Sequence, residues 1–127
     1  MKATCHCGAV VLEVTLAEGM NSLRRCDCSF CARRGAAAVT ATHDNVQILQ
    51  GAENLQTYQF GTKTAVHHFC RTCGIYTHHQ RRSNPNEVGI NAACLDGVHL
   101  PDHDPIRWVD GRNHPSDAKR QSTLRST

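Results

Sequence analysis

The chain has 127 residues, of which 39% are hydrophobic and 5% aromatic, which fits one domain with a modest apolar core. It has no apolar run near the ~20 residues of a membrane span and no apolar signal segment at its start, so we expect no membrane partner and a cytoplasmic location. The net charge of +3 equals that of residues 112–127 (four basic against one acidic), so residues 1–111 are formally neutral and we expect no nucleic-acid-binding face.

Short segments of alternating apolar and polar residues predict a mainly β, antiparallel domain. Ser29 is expected to cap a single helical turn that Gly35 ends. Residues 112–127 are polar and lack apolar anchors, so we predict a folded domain at residues 1–111 and a disordered C-terminal tail. The predicted strands are residues 10–16, 23–26, 38–42, 46–49, 57–60, 65–69, 75–80 and 88–94.

Seven of the eight cysteines fall into three tight clusters. Reduced thiols are expected in the cytoplasm, where clustered cysteines more often bind metal than form disulfides. The simplest partition is one four-thiolate zinc, which is closed and structural, and one three-thiolate zinc, which keeps a position open. The predicted ligands are Cys5, Cys7, Cys70 and Cys73 for the first zinc and Cys26, Cys28 and Cys31 for the second.

The third cluster, Cys70-Arg71-Thr72-Cys73-Gly74, has the spacing of a zinc knuckle at a hairpin turn. Gly74 would adopt a backbone geometry that a Cβ opposes, leaving N–H groups to point at sulfur. A redox pair is the other interpretation of this spacing, but it is typical of a βαβ context that is missing here. The pair in Cys5-His6-Cys7-Gly8 would supply the two remaining ligands.

The central cluster, Cys26-Asp27-Cys28-Ser29-Phe30-Cys31, offers three thiolates within six residues. The fourth position would be open to water or substrate, unless Cys94 fills it and makes a second structural site. An iron–sulfur cluster is a further alternative, although the spacing matches neither common ferredoxin pattern. Arg33 and Arg34 follow the cluster and could hold a substrate carboxylate, or could be solvated charges.

Two histidine pairs flank the third cluster on the predicted hairpin. Strand alternation sends adjacent histidines to opposite faces, so at most one of each pair can face a given site. Because the cysteines already meet the ligand demand, we expect the histidines to lie at the surface or behind the ligands. The pairs are His67 with His68 and His78 with His79.

Together these motifs resemble the glutathione-dependent formaldehyde-activating enzyme family, a Gfa-like domain with an Mss4-like fold. The resemblance spans about residues 3–97 and also includes Tyr58-Gln59-Phe60-Gly61, His68-Phe69, Gly89-Ile90-Asn91 and Cys94-Leu95-Asp96-Gly97. It implies an antiparallel β domain built around zinc knuckles, with a structural zinc and a catalytic zinc on the two predicted sets of cysteines. It also implies a carbon–sulfur lyase that joins formaldehyde to the thiol of glutathione.

Two classes of function remain at this point. In the first, an enzyme, the open zinc binds a small thiol such as glutathione or polarises a small aldehyde, and Cys26, Cys28 and Cys31 form the catalytic centre. In the second, the protein is a non-catalytic, zinc-stabilised binding module. The sequence shows no exposed apolar or charged patch on the folded body that would support such a module, and the open coordination site favours the enzyme.

Overall fold

A computed structural model describes residues 1–112 and confirms a mainly β, antiparallel architecture. Seven strands form one sheet in the order β1-β2-β4-β8-β7-β6-β5, and β3 and β9 form a second, parallel pair. Short 3-10 turns lie at Gly19–Ser22, Ala52–Asn54, Ala92–Cys94 and Leu100–His103. The strands are β1 (Lys2–Thr4), β2 (Val11–Leu16), β3 (Arg25–Cys26), β4 (Ala38–Gln50), β5 (Leu55–Tyr58), β6 (Val66–Cys70), β7 (Tyr76–Gln80), β8 (Glu87–Asn91) and β9 (Trp108–Val109), and the one α-helix among these residues is α1 (Ser29–Arg34).

The core lies against the middle of the large sheet, as the alternation in β2 predicts. Leu12 and Val14 are fully buried while Glu13 between them is half-buried, because successive side chains of a strand point to opposite faces. Val39 of β4 and Ile90 of β8 complete the centre of this core, and both are fully buried. Large aromatic side chains are missing from its fully buried members, which agrees with the modest core expected from composition.

Strand β1 was not predicted, and two of the predicted strands differ from the structure by more than a shift of one or two residues at their ends. Residues 38–42 and 46–49 belong to one strand, β4, whose first part pairs with β8 and whose second part pairs with β2. The polar residues 43–45 separate the two parts, at a register shift where Ala41 pairs with Leu16 and Val46 pairs with Val14. The predicted strand at residues 88–94 ends at Asn91, because the Asn91 side chain accepts a hydrogen bond from the backbone N–H of Ala93 and caps a 3-10 turn.

The C-terminal part of the described chain returns to the start of the helix. Strand β9, which was not predicted from the sequence, pairs in parallel with β3. Within residues 1–112, no helix has the length and apolar character needed to cross a membrane. The predicted disordered tail at residues 112–127 lies, apart from Arg112, outside the described residues.

Candidate metal centres

The first cysteine group joins the two ends of the large sheet. Cys5 and Cys7 follow β1 at one edge, Cys70 ends β6 near the other edge, and Cys73 lies in the turn to β7. Their four sulfur atoms lie within 4.8 Å of one another, and Cys7 Sγ is 3.7 Å from both Cys5 Sγ and Cys70 Sγ. Tetrahedral zinc with Zn–S bonds of about 2.3 Å places its sulfurs about 3.8 Å apart. The spacing therefore fits four metal ligands and is too long for disulfides.

Backbone and side-chain N–H groups point at these sulfurs, as expected for a knuckle. The backbone N–H of Val10 donates to Cys5 Sγ at 3.3 Å, and Asn54 Nδ2 donates to Cys70 Sγ at 3.2 Å. Gly74 adopts a positive φ of 77° and its N–H donates to the Cys70 carbonyl at 2.7 Å. The two hydrogen bonds to sulfur favour the thiolate form that a metal requires, whereas the Gly74 hydrogen bond to a carbonyl holds the turn.

The second cysteine group forms around the start of α1. Cys26 ends β3, Cys28 immediately precedes the helix and Cys31 lies in its first turn, and their sulfurs lie within 4.8 Å of one another. Cys28, rather than the predicted Ser29, caps the helix, because its sulfur accepts a hydrogen bond from the Cys31 backbone N–H at 3.3 Å. The helix ends at Gly35 in the left-handed conformation, as predicted.

The three thiols of this second group compete for protons. The pKa of the Cys28 thiol is lowered, because the thiols of Cys26 and Cys31 donate hydrogen bonds to it. The hydrogen bond with Cys28 raises the pKa of the Cys26 thiol, and hydrogen bonds with Cys26 and with Cys28 raise the pKa of the Cys31 thiol. Three thiolates so close together need a cation to offset their repulsion, so the donor set fits a soft divalent metal such as zinc.

Cys94 does not belong to either group. Within residues 1–112 the second group has three ligand side chains, and Cys94 is buried elsewhere, where its thiol donates to the Tyr76 carbonyl at 3.7 Å. Burial raises the pKa of the Cys94 thiol to about 11. The structure therefore does not support Cys94 as the fourth ligand of a second closed site.

Arg34 contacts the second group directly. Its Nη2 donates to Cys31 Sγ at 3.3 Å, its Nη1 lies 3.2 Å from His67 Nδ1, and its guanidinium carbon lies 3.7 Å from the centre of the Tyr76 ring. Its position next to sulfur offsets negative charge on the thiolates. Arg33 is exposed on the helix and donates to a backbone carbonyl of α1 instead.

The four flanking histidines form two cross-strand pairs, one on each face of the β6–β7 hairpin. His67 lies opposite His79 with ring centres 5.1 Å apart, and His68 lies opposite His78 at 4.4 Å. Adjacent histidines thus face opposite ways, as predicted, and both candidate metal groups contain cysteines only. Burial, with a smaller contribution from the Arg34 charge, lowers the pKa of His67 to about 4, so its ring is neutral at pH 7.

A cavity of about 290 Å³ lies over the second cysteine group. One part of its wall carries the three thiols together with Arg34, His67 and His79. Another part carries Arg24, Arg81 and Arg82, which the sequence analysis did not single out. Arg24 is two residues before Cys26, but Arg81 and Arg82 are more distant in the chain from every cysteine cluster, so only the fold brings the three arginines together at the site.

Gly111 seals the second group on the side of β9. Its N–H donates to Asp27 Oδ1 at 2.7 Å, and the next N–H, that of Arg112, reaches the same oxygen at 3.3 Å. A Cβ built at position 111 would lie 2.1 Å from Cys26 Sγ and 3.0 Å from the Cys28 nitrogen, so no side chain fits there. The site thus depends on a glycine that sequence reasoning did not single out.

An antiparallel sheet with one four-cysteine group, and one three-cysteine group at a cavity, define a small protein with two candidate metal centres. The chain belongs to the glutathione-dependent formaldehyde-activating enzyme family, whose model matches residues 1–109. It is also similar to a Rhodobacter sphaeroides protein of known crystal structure, with 61% identity and a TM-score of 0.85. That match covers 86% of this chain and 100% of the other.

Proposed function

We propose that this protein is a zinc-dependent carbon–sulfur lyase-type enzyme. It would act on adducts of a small thiol, glutathione in the first place, and an aldehyde such as formaldehyde. The observation that carries the proposal is the three-cysteine group, which lacks a fourth protein ligand within residues 1–112 and opens onto a cavity. The family to which the chain belongs supports the same thiol and aldehyde.

Two zinc ions per chain fit the two donor sets. The structural one would be held by Cys5, Cys7, Cys70 and Cys73, and the catalytic one by Cys26, Cys28 and Cys31. When bound, the second zinc supplies an open coordination position that favours the thiolate form of a thiol or polarises an aldehyde oxygen. Both sets need reduced cysteines, which supports a cytoplasmic location.

The protein residues around the second group orient the cysteines and keep water away. The hydrogen bond from Arg34 holds Cys31 in place and draws negative charge from its sulfur. Phe30 and Phe60 pack against His67, with ring centres 4.5 Å and 5.8 Å from it, and so form an apolar wall beside the cavity. In the synthetic direction the thiol sulfur bonds to the aldehyde carbon and the thiol proton ends on the aldehyde oxygen. The lyase direction reverses both changes.

The test of this proposal compares exchange rates between free and thiol-bound formaldehyde with and without protein. Because thiols and formaldehyde combine spontaneously, the expected result is an acceleration of at least about tenfold over the blank, measured by NMR exchange spectroscopy. Free zinc at the same concentration is the control. Rates equal to the blank across several thiols and aldehydes would reject the enzyme and favour a zinc-stabilised binding module.

Replacing Gly111 with alanine is expected to weaken metal binding at the second group by about tenfold or more, since the added methyl must displace Cys26 Sγ. The first group should keep its metal, because none of its cysteines lies among the nearest atoms to that methyl. Chelator competition measures both affinities. Arg112→Ala, at an exposed neighbouring position, is the matched control. Unchanged affinity in Gly111→Ala would show that the β9 segment does not hold the site together.

A further inference from the structure

Two arginines of the cavity wall contact the same side chain, and neither has a role in the arrangement of the three cysteines described above. Arg24 directly precedes β3, and Arg81 directly follows β7. Both guanidinium groups donate to the same atom, Thr40 Oγ1, at 3.3 Å from Arg24 Nη1 and 2.8 Å from Arg81 Nη2. Both also line the cavity that contains the three-cysteine group.

The positive charges of this arginine pair, Arg24 and Arg81, are poorly compensated. Arg81 is only 8% exposed, its Nε has no hydrogen-bond partner, and the closest approach of a carboxylate is Glu87 Oε1 at 3.9 Å. Arg24 donates to the Ser22 carbonyl and to Thr40, and neither of the two salt bridges found within residues 1–112 involves it. Two like charges held together in a partly buried place destabilise the unliganded protein, and a bound anion would offset this cost.

The cavity has an overall excess of positive charge. Four arginines and one carboxylate, that of Asp110, line it among the described residues. The three thiolates with a divalent zinc would carry three negative charges against two positive, a net charge of −1. A ligand with both a thiol and an anionic group would therefore place its sulfur at the cysteines and its anion at the arginines.

We propose that Arg24 and Arg81 form a subsite for the carboxylate of the thiol substrate, so that the enzyme selects small thiols, and their aldehyde adducts, that bear a carboxylate. This inference rests on the proposed function. Guanidinium groups bind planar carboxylates through paired hydrogen bonds, and Thr40 holds this pair in place from the protein side. Arg34 is already engaged by Cys31 and His67, and Arg33 does not line this cavity.

The test uses two thiols of the same size, 3-mercaptopropionate and 3-mercaptopropionamide, titrated calorimetrically into zinc-loaded protein. We expect the wild type to bind the carboxylate about tenfold more tightly or better, as expected for a charge-assisted hydrogen bond. Arg24→Gln and Arg81→Gln should bring this ratio close to one without changing the affinity for the amide. Arg33→Gln, which removes a charge outside the cavity, should keep the wild-type ratio.

Because Arg81 is buried, Arg81→Lys is a second variant that keeps the charge and loses the paired geometry. An intermediate ratio of the two affinities is expected for this variant.

Propionate and inorganic phosphate, which lack a thiol, separate the carboxylate subsite from the proposed function when binding is followed by NMR. Propionate binding that depends on the arginine pair, with no binding of either thiol, would reject the proposed function and keep the anion subsite. Equal wild-type affinity for the two thiols, a ratio lost in Arg33→Gln, or phosphate binding stronger than that of propionate would overturn the carboxylate subsite.

Discussion

Replacing Cys70 with serine is expected to leave the domain largely unfolded at 25 °C. Cys70 is fully buried at the end of β6, and its sulfur lies 3.7 Å from that of Cys7, 63 positions earlier in the chain. A metal held there ties together distant parts of the sheet. The apparent binding free energy of a structural zinc, about 10–16 kcal/mol, is as large as the whole stability of a typical domain. With its modest apolar core, this chain has little to replace that contribution.

Far-UV circular dichroism and thermal melts, with zinc analysis of the same samples, measure the effect of this substitution. Cys94→Ala is the matched control, since Cys94 is also a buried cysteine but lies outside both metal groups. It should retain both zincs and lose no more than about 2 kcal/mol of stability. A Cys70→Ser protein that melts within a few degrees of the wild type would show that the four-cysteine group does not stabilise the fold.

The two cysteine groups, which are the candidate metal centres, could be predicted because the spacing of the cysteines along the chain is informative by itself. Three cysteines within six residues must lie close together in any compact conformation, and Cys70 with Cys73 forms a recognisable knuckle turn. Cys5 and Cys7 were the clustered cysteines left to complete that site, so counting cysteines was enough to divide the seven into a group of four and a group of three. The alternation of apolar and polar residues along β2 is also a local pattern, as is the β6–β7 hairpin, and the structure confirms both predictions.

The rest of the cavity could not be predicted, because it depends on how distant segments approach. Arg24 and Arg81 are 57 positions apart, and no local pattern shows that both contact Thr40. Gly111 resembles any loop glycine until β9 pairs with β3 and brings it against Cys26. The Cys28 cap was missed for a different reason: serine is the commoner cap, but the thiol one position earlier has the geometry to accept the helical N–H.

Replacing Cys28 with serine is expected to remove the second metal and the proposed activity while keeping the fold. The three cysteines of this group lie within six residues, so their metal closes almost no loop and contributes little to the stability of the chain. Serine is also among the best helix caps, so its oxygen can accept the Cys31 N–H that Cys28 Sγ accepts now. The melting temperature should therefore fall far less than in Cys70→Ser.

For Cys28→Ser we expect about one zinc per chain instead of two, and formaldehyde exchange no faster than the blank. Metal analysis, thermal melts and exchange rates on the same preparation measure all three effects, and Ser29→Ala is the control because it leaves every cysteine in place. The contrast with Cys70→Ser is the informative quantity, because a closed site and an open site differ in what their metals contribute. If Cys28→Ser and Cys70→Ser destabilise the protein equally, the three-cysteine group is a second structural centre, and the open coordination position on which the proposed enzyme depends does not exist.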